Sequence, residues 1–407
     1  MIRLLAPLLL LGLVVTGCTP GGNTSTPADQ IIIASDLPVS VSEEVVRPLE
    51  QAIGYVIRQQ GSIGGFKLGY WSLDNSLGAN PDPVRGVGNV ERMIAERRVL
   101  GMVGSYTSGV TFQEIPVANA ANLVMVNPSA TSYCLTRTAP NCAAPPPCAG
   151  SAGCSFFRIP PADPIQGRAM ARYAAANLNV KRFAAVNEGE TDGSRYIAEF
   201  AGELARTGGE MVFQQDFKPG TTNFTGFLNT AKSKGAQAVY VVGSGSDNVC
   251  SLRAQMNRLL PDAYFLGADA VMSDGGSQCI KDAVNPVRMF VTYPDFDPSH
   301  SDDPSAKTRV AAFRKAYPKA TAFYTFAAYD CARILIEAIA RAIQGNHGAI
   351  PTRAQVVAAV AQTNEFKGVT GTYSFDANGD AQNPPMSIFE ARDANWVYLH
   401  KIDASAA

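Results

Sequence analysis

The chain has 407 residues, 46% hydrophobic and 9% aromatic, enough apolar material for the cores of two or three domains and too much for a disordered polymer. Its 34 Lys and Arg stand against 35 Asp and Glu, a formal charge of −1 at pH 7, so there is no basic field for nucleic acid.

At the amino terminus Arg3 precedes an apolar run over residues 4–15, interrupted by Pro7 and too short to span a bilayer, which ends in Val15-Thr16-Gly17-Cys18. The pattern resembles a bacterial lipobox. That resemblance implies a lipoprotein signal peptide over 1–17, diacylglycerol on Cys18, and an exported, membrane-anchored protein, in the periplasm or on the cell surface. Loss of Arg3 takes the formal charge to −2. Residues 18–29, rich in Thr, Pro and Gly, read as a flexible tether. No later stretch is long and apolar enough for a transmembrane helix.

From Gln30 onward strand and helix alternate: an apolar strand at 31–34, a helix at 45–60 with Val46, Leu49, Ile53, Val56 and Ile57 on one face, a strand at 67–73 and a helix at 84–97. The next stretch, 101–131, is a candidate ligand cradle. Met102-Val103 ends a strand, Ser105, Thr107 and Ser108 form a hydroxylated turn, a helix starts near Ser108, and a second strand at 123–126 closes in Asn127-Pro128-Ser129-Ala130-Thr131. Strand carboxyl ends in a parallel α/β sheet face a crevice, and a helix starting there aims free N–H groups and the positive end of its dipole into it, which suits a carboxylate. The competing reading is that these hydroxyls only cap helices.

Cys134, Cys142, Cys148 and Cys154 crowd into a Pro/Ala/Gly-rich stretch, 134–154, with no regular pattern. An exported protein permits disulfides, and the spacing lacks a CxxC pair or a nearby His for metal, so two bridges of open connectivity are expected there and no metal site. Cys250 and Cys279 are candidates for a third bridge, and Cys331 reads as a buried free thiol.

The alternation resumes with helix 163–177, strand 183–186, helix 194–206, strand 211–217, helix 224–234, strand 238–242, helix 248–259 and strands 264–267 and 289–292. Helices at 306–317, 323–344 and 353–362 follow, then β segments at 371–375, 388–391 and 397–399. The expected fold is α/β, with two doubly wound parallel-sheet lobes joined by a hinge.

Val103-Gly104 with Ser108 four residues on, Pro128-Ser129-Ala130-Thr131, the Gly-rich turn 61–65 with Asp74 after the strand, and Gly368-Val369-Thr370-Gly371 with the segment 375–380 together resemble the type I periplasmic binding proteins, specifically the branched-chain amino acid subgroup of ABC importers. Phe156 to Pro160 resembles that family's first crossing between lobes, and Tyr293-Pro294 its return. The resemblance implies a first lobe from 30–155 with 297–368 and a second from 156–296 with 369–407. It also implies that Ser108 and its helix end hold a ligand carboxylate, that Ser129 and Thr131 touch the amino acid group, that Asp269 stands for a family Glu pairing with the ammonium, and that Tyr324 packs on the ligand side chain. Two departures stand out. Asp192 and Ser244 replace two Tyr walls, which implies a roomier, more polar cleft and weakens the case for a strictly aliphatic ligand. Tyr106, Trp71 and Tyr133 are aromatics without an assigned role.

Among catalytic signatures, GxSxG, HExxH, a P-loop and GxGxxG are all missing, and His300, His347 and His400 lie in polar or terminal stretches. The expectation is a non-enzymatic, lipid-anchored solute-binding protein without cofactor. It would close on a small amino-acid-like or polar ligand and pass it to an ABC permease. The rivals are a sensor or receptor module of the same fold and, from another class, a lipid-anchored hydrolase using Asp192 and Asp269, with Asp247 nearby, as paired carboxylates.

Overall fold

The computed structural model describes residues 29–41, 43–138, 142, 154–188, 193–218, 220–243, 247–272, 280 and 288–403. Cys18, Cys148, Cys279, Asp192 and Ser244 lie outside them.

The first half alternates as its apolar pattern dictates: β1 (Gln30–Leu37), α1 (Glu43–Gln60), β2 (Ser62–Ile63), β3 (Phe66–Asp74), a short hairpin β4 (Ser76–Leu77) and β5 (Asn80–Pro81), α2 (Pro83–Ala95), β6 (Val99–Gly104), α3 (Ser108–Ala120), β7 (Val124–Asn127) and β8 (Phe156–Arg158). These strands form a six-stranded sheet in the order β2-β3-β1-β6-β7-β8, parallel except for β2. Side chains alternate across it. Ile31 and Ile33 join one core with α1, while Ile32 and Ala34 join another with Val90, Met93 and Ile115 of α2 and α3.

The second half gives α4 (Ile165–Asn177), β9 (Arg182–Asn187), α5 (Gly193–Thr207), β10 (Glu210–Asp216), α6 (Thr225–Ser233), β11 (Ala238–Val242), α7 (Asp247–Leu259), β12 (Tyr264–Gly267) and β13 (Met289–Tyr293). Helices α8 (Pro304–Ala316), α9 (Thr325–Gly345) and α10 (Arg353–Ala361) follow, then the hairpin β14 (Phe366–Lys367) and β15 (Thr372–Tyr373), and finally β16 (Pro385–Arg392) and β17 (Asn395–Asp403). The second sheet runs β10-β9-β11-β12-β13-β16-β17, with the last two strands antiparallel. Its two faces are covered separately, Ala184 and Val186 meeting Phe227 and Val249 on one side, Phe183 and Ala185 meeting Phe200 and Met170 on the other.

Helices α8 and α9 return to the first lobe, where Tyr55 of α1 packs its ring on Phe313 of α8 at 5.4 Å. The lobe boundaries expected from the sequence need correction at two places. β8, at 156–158, pairs with β7 and closes the first sheet, so the first crossing follows Arg158. Residues 369–381 also stay with the first lobe: buried Asp330 of α9 accepts from the Val369 and Thr370 N–H groups at 2.8 Å each, Phe375 packs on Phe157 at 5.1 Å, and Arg158 bonds Asp380 at 2.7 Å. Three crossings therefore link the lobes, after Arg158, after Tyr293 and before Pro385. Among the described residues no helix is long and apolar enough to cross a membrane.

Candidate functional site

Because β1, β6 and β7 are parallel, their carboxyl ends place the loops 104–108 and 128–132 side by side. Asn127 joins the two loops. Its Oδ1 accepts from the Ser129 N–H at 2.9 Å and the Ala130 N–H at 2.6 Å, and its Nδ2 donates to the Ser105 carbonyl at 2.7 Å. The Ser129 hydroxyl then donates to the Tyr106 carbonyl at 2.8 Å. Beneath this pair lies Arg158, fully buried, whose guanidinium donates to the carbonyls of Ser132 at 2.7 Å and Ala130 at 3.3 Å.

Helix α3 starts at Ser108. Thr107 in the cap position makes no side-chain capping bond, so the hydroxylated turn is not an ordinary cap, and the Ser108 hydroxyl instead accepts from the Ser132 N–H at 3.2 Å. Ser105 is fully buried and bonded to Asn75 at 2.8 Å, a structural role away from the cavity.

Facing these loops is a cavity of about 550 Å³. Tyr106, Thr107, Ser108, Ser129 and Thr131 line it from the first lobe with Val45 of α1, and Asp269, Met272 and Tyr293 line it from the second, with Phe323 and Tyr324 from the turn before α9. The structure thus brings together Ser108, Ser129, Thr131, Asp269 and Tyr324 of the expected set. Trp71 does not take part; it lies 5.5 Å under the Arg92 guanidinium, against the α2–α3 side of the first sheet.

The second-lobe end is acidic. Asp269 opens a single 3-10 turn after β12 and is fixed by Gln166 of α4, which donates to Oδ1 at 2.7 Å and accepts from the Asp269 N–H at 3.0 Å. Thr292 holds the same Gln166 carbonyl at 3.0 Å. A second carboxylate, Asp163, stands at the first crossing. Its N–H donates to the Thr131 carbonyl at 2.9 Å, and its side chain bonds Thr131 and Tyr196. Enclosure, and then the negative charge of Asp269, push the Asp163 carboxyl up to about 7. Burial, with Asp269 and Asp295 adding to it, likewise pushes the Tyr106 phenol to about 12.

One wall of the cavity is aromatic, while the expectation of a more polar cleft rests on Asp192 and Ser244, which lie outside the described residues. Tyr293 stacks on Phe323 at 4.1 Å and lies 5.5 Å from Tyr324, which meets Tyr106 edge-on at 6.3 Å. Tyr324 takes a left-handed backbone, φ 63°, held where its N–H donates to buried Asp295 at 2.7 Å. Sequence reasoning missed Asp163, which couples to Asp269 and bonds Thr131, and Tyr293 and Phe323, which line the cavity. The first two stood at the crossings, the one available signal, since crossings border the cleft. Tyr133 makes a contact between lobes, with the Arg195 guanidinium of α5 4.6 Å from its ring centre.

Cys134 and Cys142 are bridged, with an S–S distance of 2.04 Å, Cys154 and Cys250 are also disulfide-bonded, and Cys331 is a buried free thiol. Among the described residues no group of three His, Cys, Asp or Glu is arranged to hold a metal ion.

The sequence profile of the family described as "Periplasmic binding protein" matches residues 40–395. Relatives include a "Leu/Ile/Val-binding protein homolog 3" from Brucella melitensis, 24% identical over 89% of this chain and 90% of its own length. A "Leucine-, isoleucine-, valine-, threonine-, and alanine-binding protein" from Pseudomonas aeruginosa is 22% identical over 90% of this chain and 91% of its own. Among solved structures, a leucine binding protein from Thermotoga maritima superposes with a TM-score of 0.69 at 22% identity, covering 91% of this chain and 98% of that one. A solute binding protein from R. palustris in complex with benzoate superposes with a TM-score of 0.64 at 17% identity, covering 93% and 97%.

Proposed function

This chain belongs to the periplasmic binding protein family, and we propose that it captures a small amino acid between its two lobes and delivers it to an ABC importer. The observation that carries this reading is the polarity of the cleft. At one end the amino terminus of α3 and the Ser108 hydroxyl favour a carboxylate; at the other, Asp269 favours an ammonium, with the Asp163 carboxyl coupled to it from behind Thr131. A zwitterion matches both ends at once. An aromatic acid such as the benzoate bound by the R. palustris protein has nothing to offer Asp269.

Tyr293, Phe323, Tyr324 and Met272 give the ligand side chain an apolar, polarisable wall. Ligand contacts drawn from both lobes favour the closed arrangement, which is the shape an importer reads. The protein works outside the cytoplasm, tethered through lipid on Cys18, and performs no chemistry on its cargo. Native mass spectrometry of the small molecule that co-purifies with the protein tests the reading directly. An α-amino acid is the expected result, and a ligand without an amino group contradicts it.

A further inference from the structure

A second cavity, of about 610 Å³, shares no lining residue with the cleft. It opens between the stretch that follows the second crossing, the β14–β15 hairpin and β17. Three cationic side chains line it from three separate elements: Arg309 of α8, Lys367 of β14 and Lys401 of β17. One carboxylate, Asp303, is also present, capping α8 by accepting from the Ser305 N–H at 2.9 Å, so the lining holds three cations against one carboxylate. Arg309 and Lys367 enter no ion pair among the described residues, and Lys367 reaches only the Thr372 hydroxyl, at 3.5 Å. Lys401 is drawn over the cavity by the Phe296 ring, 4.9 Å from its centre, and by the Thr370 carbonyl at 3.5 Å.

Like charges are not gathered around one cavity without an electrostatic cost, and a counter-charge inside it is the natural compensation. The turn beside Lys367 is pinned in place. Buried Asp330 pins the 368–371 turn through the Val369 and Thr370 N–H groups and the Thr370 hydroxyl, and a Cβ on Gly368 would lie only 2.4 Å from its Oδ2. The Ser305 and Thr372 hydroxyls, also lining the cavity, add donors suited to oxyanion oxygens.

We propose that this cavity is a second binding site, for a small oxyanion carrying two or more negative charges on phosphate or clustered carboxylate oxygens. Lys401 belongs to the second sheet and Arg309 and Lys367 to the first lobe, so the occupant touches both lobes at the hinge. The assignment does not depend on which ligand fills the cleft.

Calorimetric titration of the full chain with pyrophosphate and with citrate, at constant ionic strength, tests it. Saturable binding of at least one is expected, pyrophosphate if phosphate geometry is preferred and citrate if carboxylates are. Lys401→Gln, at an exposed position, and Arg309→Gln, at a half-buried one, should each weaken that binding about tenfold, while ligand-free thermal unfolding of Lys401→Gln stays unchanged. No saturable binding of either anion, equal binding in both variants, or an effect that sodium chloride reproduces would overturn the proposal.

Discussion

Asp163 carries the sharpest consequence at the scale of single residues. Its carboxyl is raised to about 7 by enclosure and by Asp269, so near neutrality the ligand-free site holds a proton for part of the time. An arriving ammonium favours the ionised form, so binding should release that proton. Affinity should then fall as the pH drops from about 7 toward 5, by at most about tenfold per pH unit. Titration at pH 6.5 in two buffers of different ionisation enthalpy should show a buffer-dependent heat in the native protein, lost in Asp163→Asn. Equal heats in both buffers would remove the proton from the account. Apart from its place at the first crossing, nothing local marked this Asp, because its partners Thr131, Tyr196 and Asp269 lie far apart in sequence. The same is true of the aromatic wall. Tyr293 and Phe323 meet only after the chain has crossed between lobes, whereas Ser108, Ser129 and Thr131 were legible because each follows a strand in a short, self-contained unit.

At the scale of elements, α3 is anchored by a buried acid pair. Glu114 sits on α3 facing Asp36 at the end of β1, both fully buried, with Asn75 and Asn89 donating to Asp36 at 2.9 and 2.8 Å. Burial raises both carboxyls, most strongly Glu114; its hydrogen bond to Asp36 and the Asp36 charge raise Glu114 further, and Asp74 adds a smaller push on Asp36. A folded-state pKa above the unfolded one gives stability that is complete below the ordinary carboxyl range, about pH 4, and is lost as pH rises through the folded value. Glu114→Gln mimics the protonated acid. It should flatten the loss of stability above pH 4 and raise the midpoint of thermal unfolding at pH 8 by roughly 2 °C or more. An unchanged slope with pH, followed by thermal melts between pH 5 and 9, would show that the pair holds no such proton. Most elements were legible from alternation alone, since parallel strands and amphipathic helices repeat through both lobes. Where the reading slipped, the cause was tertiary. Residues 323 and 324 look helical by periodicity, yet Tyr324 is left-handed and α9 begins at Thr325 because Asp295 captures the Tyr324 N–H. The three residues of β8 and the two each of β14 and β15 are too short to announce which sheet they join.

For the whole molecule, anchoring and binding should be separable. On the proposed lipid-anchored reading, Cys18→Ser should move the protein from the detergent phase to the aqueous phase and leave ligand affinity within about twofold. Retention in the detergent phase would contradict the anchor. The central claim is that a zwitterion spans the cleft, with its carboxylate at α3 in one lobe and its ammonium at Asp269 in the other. Calorimetric titration of Asp269→Ala against the amino acid that the native protein binds best tests it most directly. Loss of a desolvated charge partner costs about 2 to 5 kcal/mol, so affinity should fall at least roughly thirtyfold with the fold intact. Undiminished affinity in that variant would contradict the account.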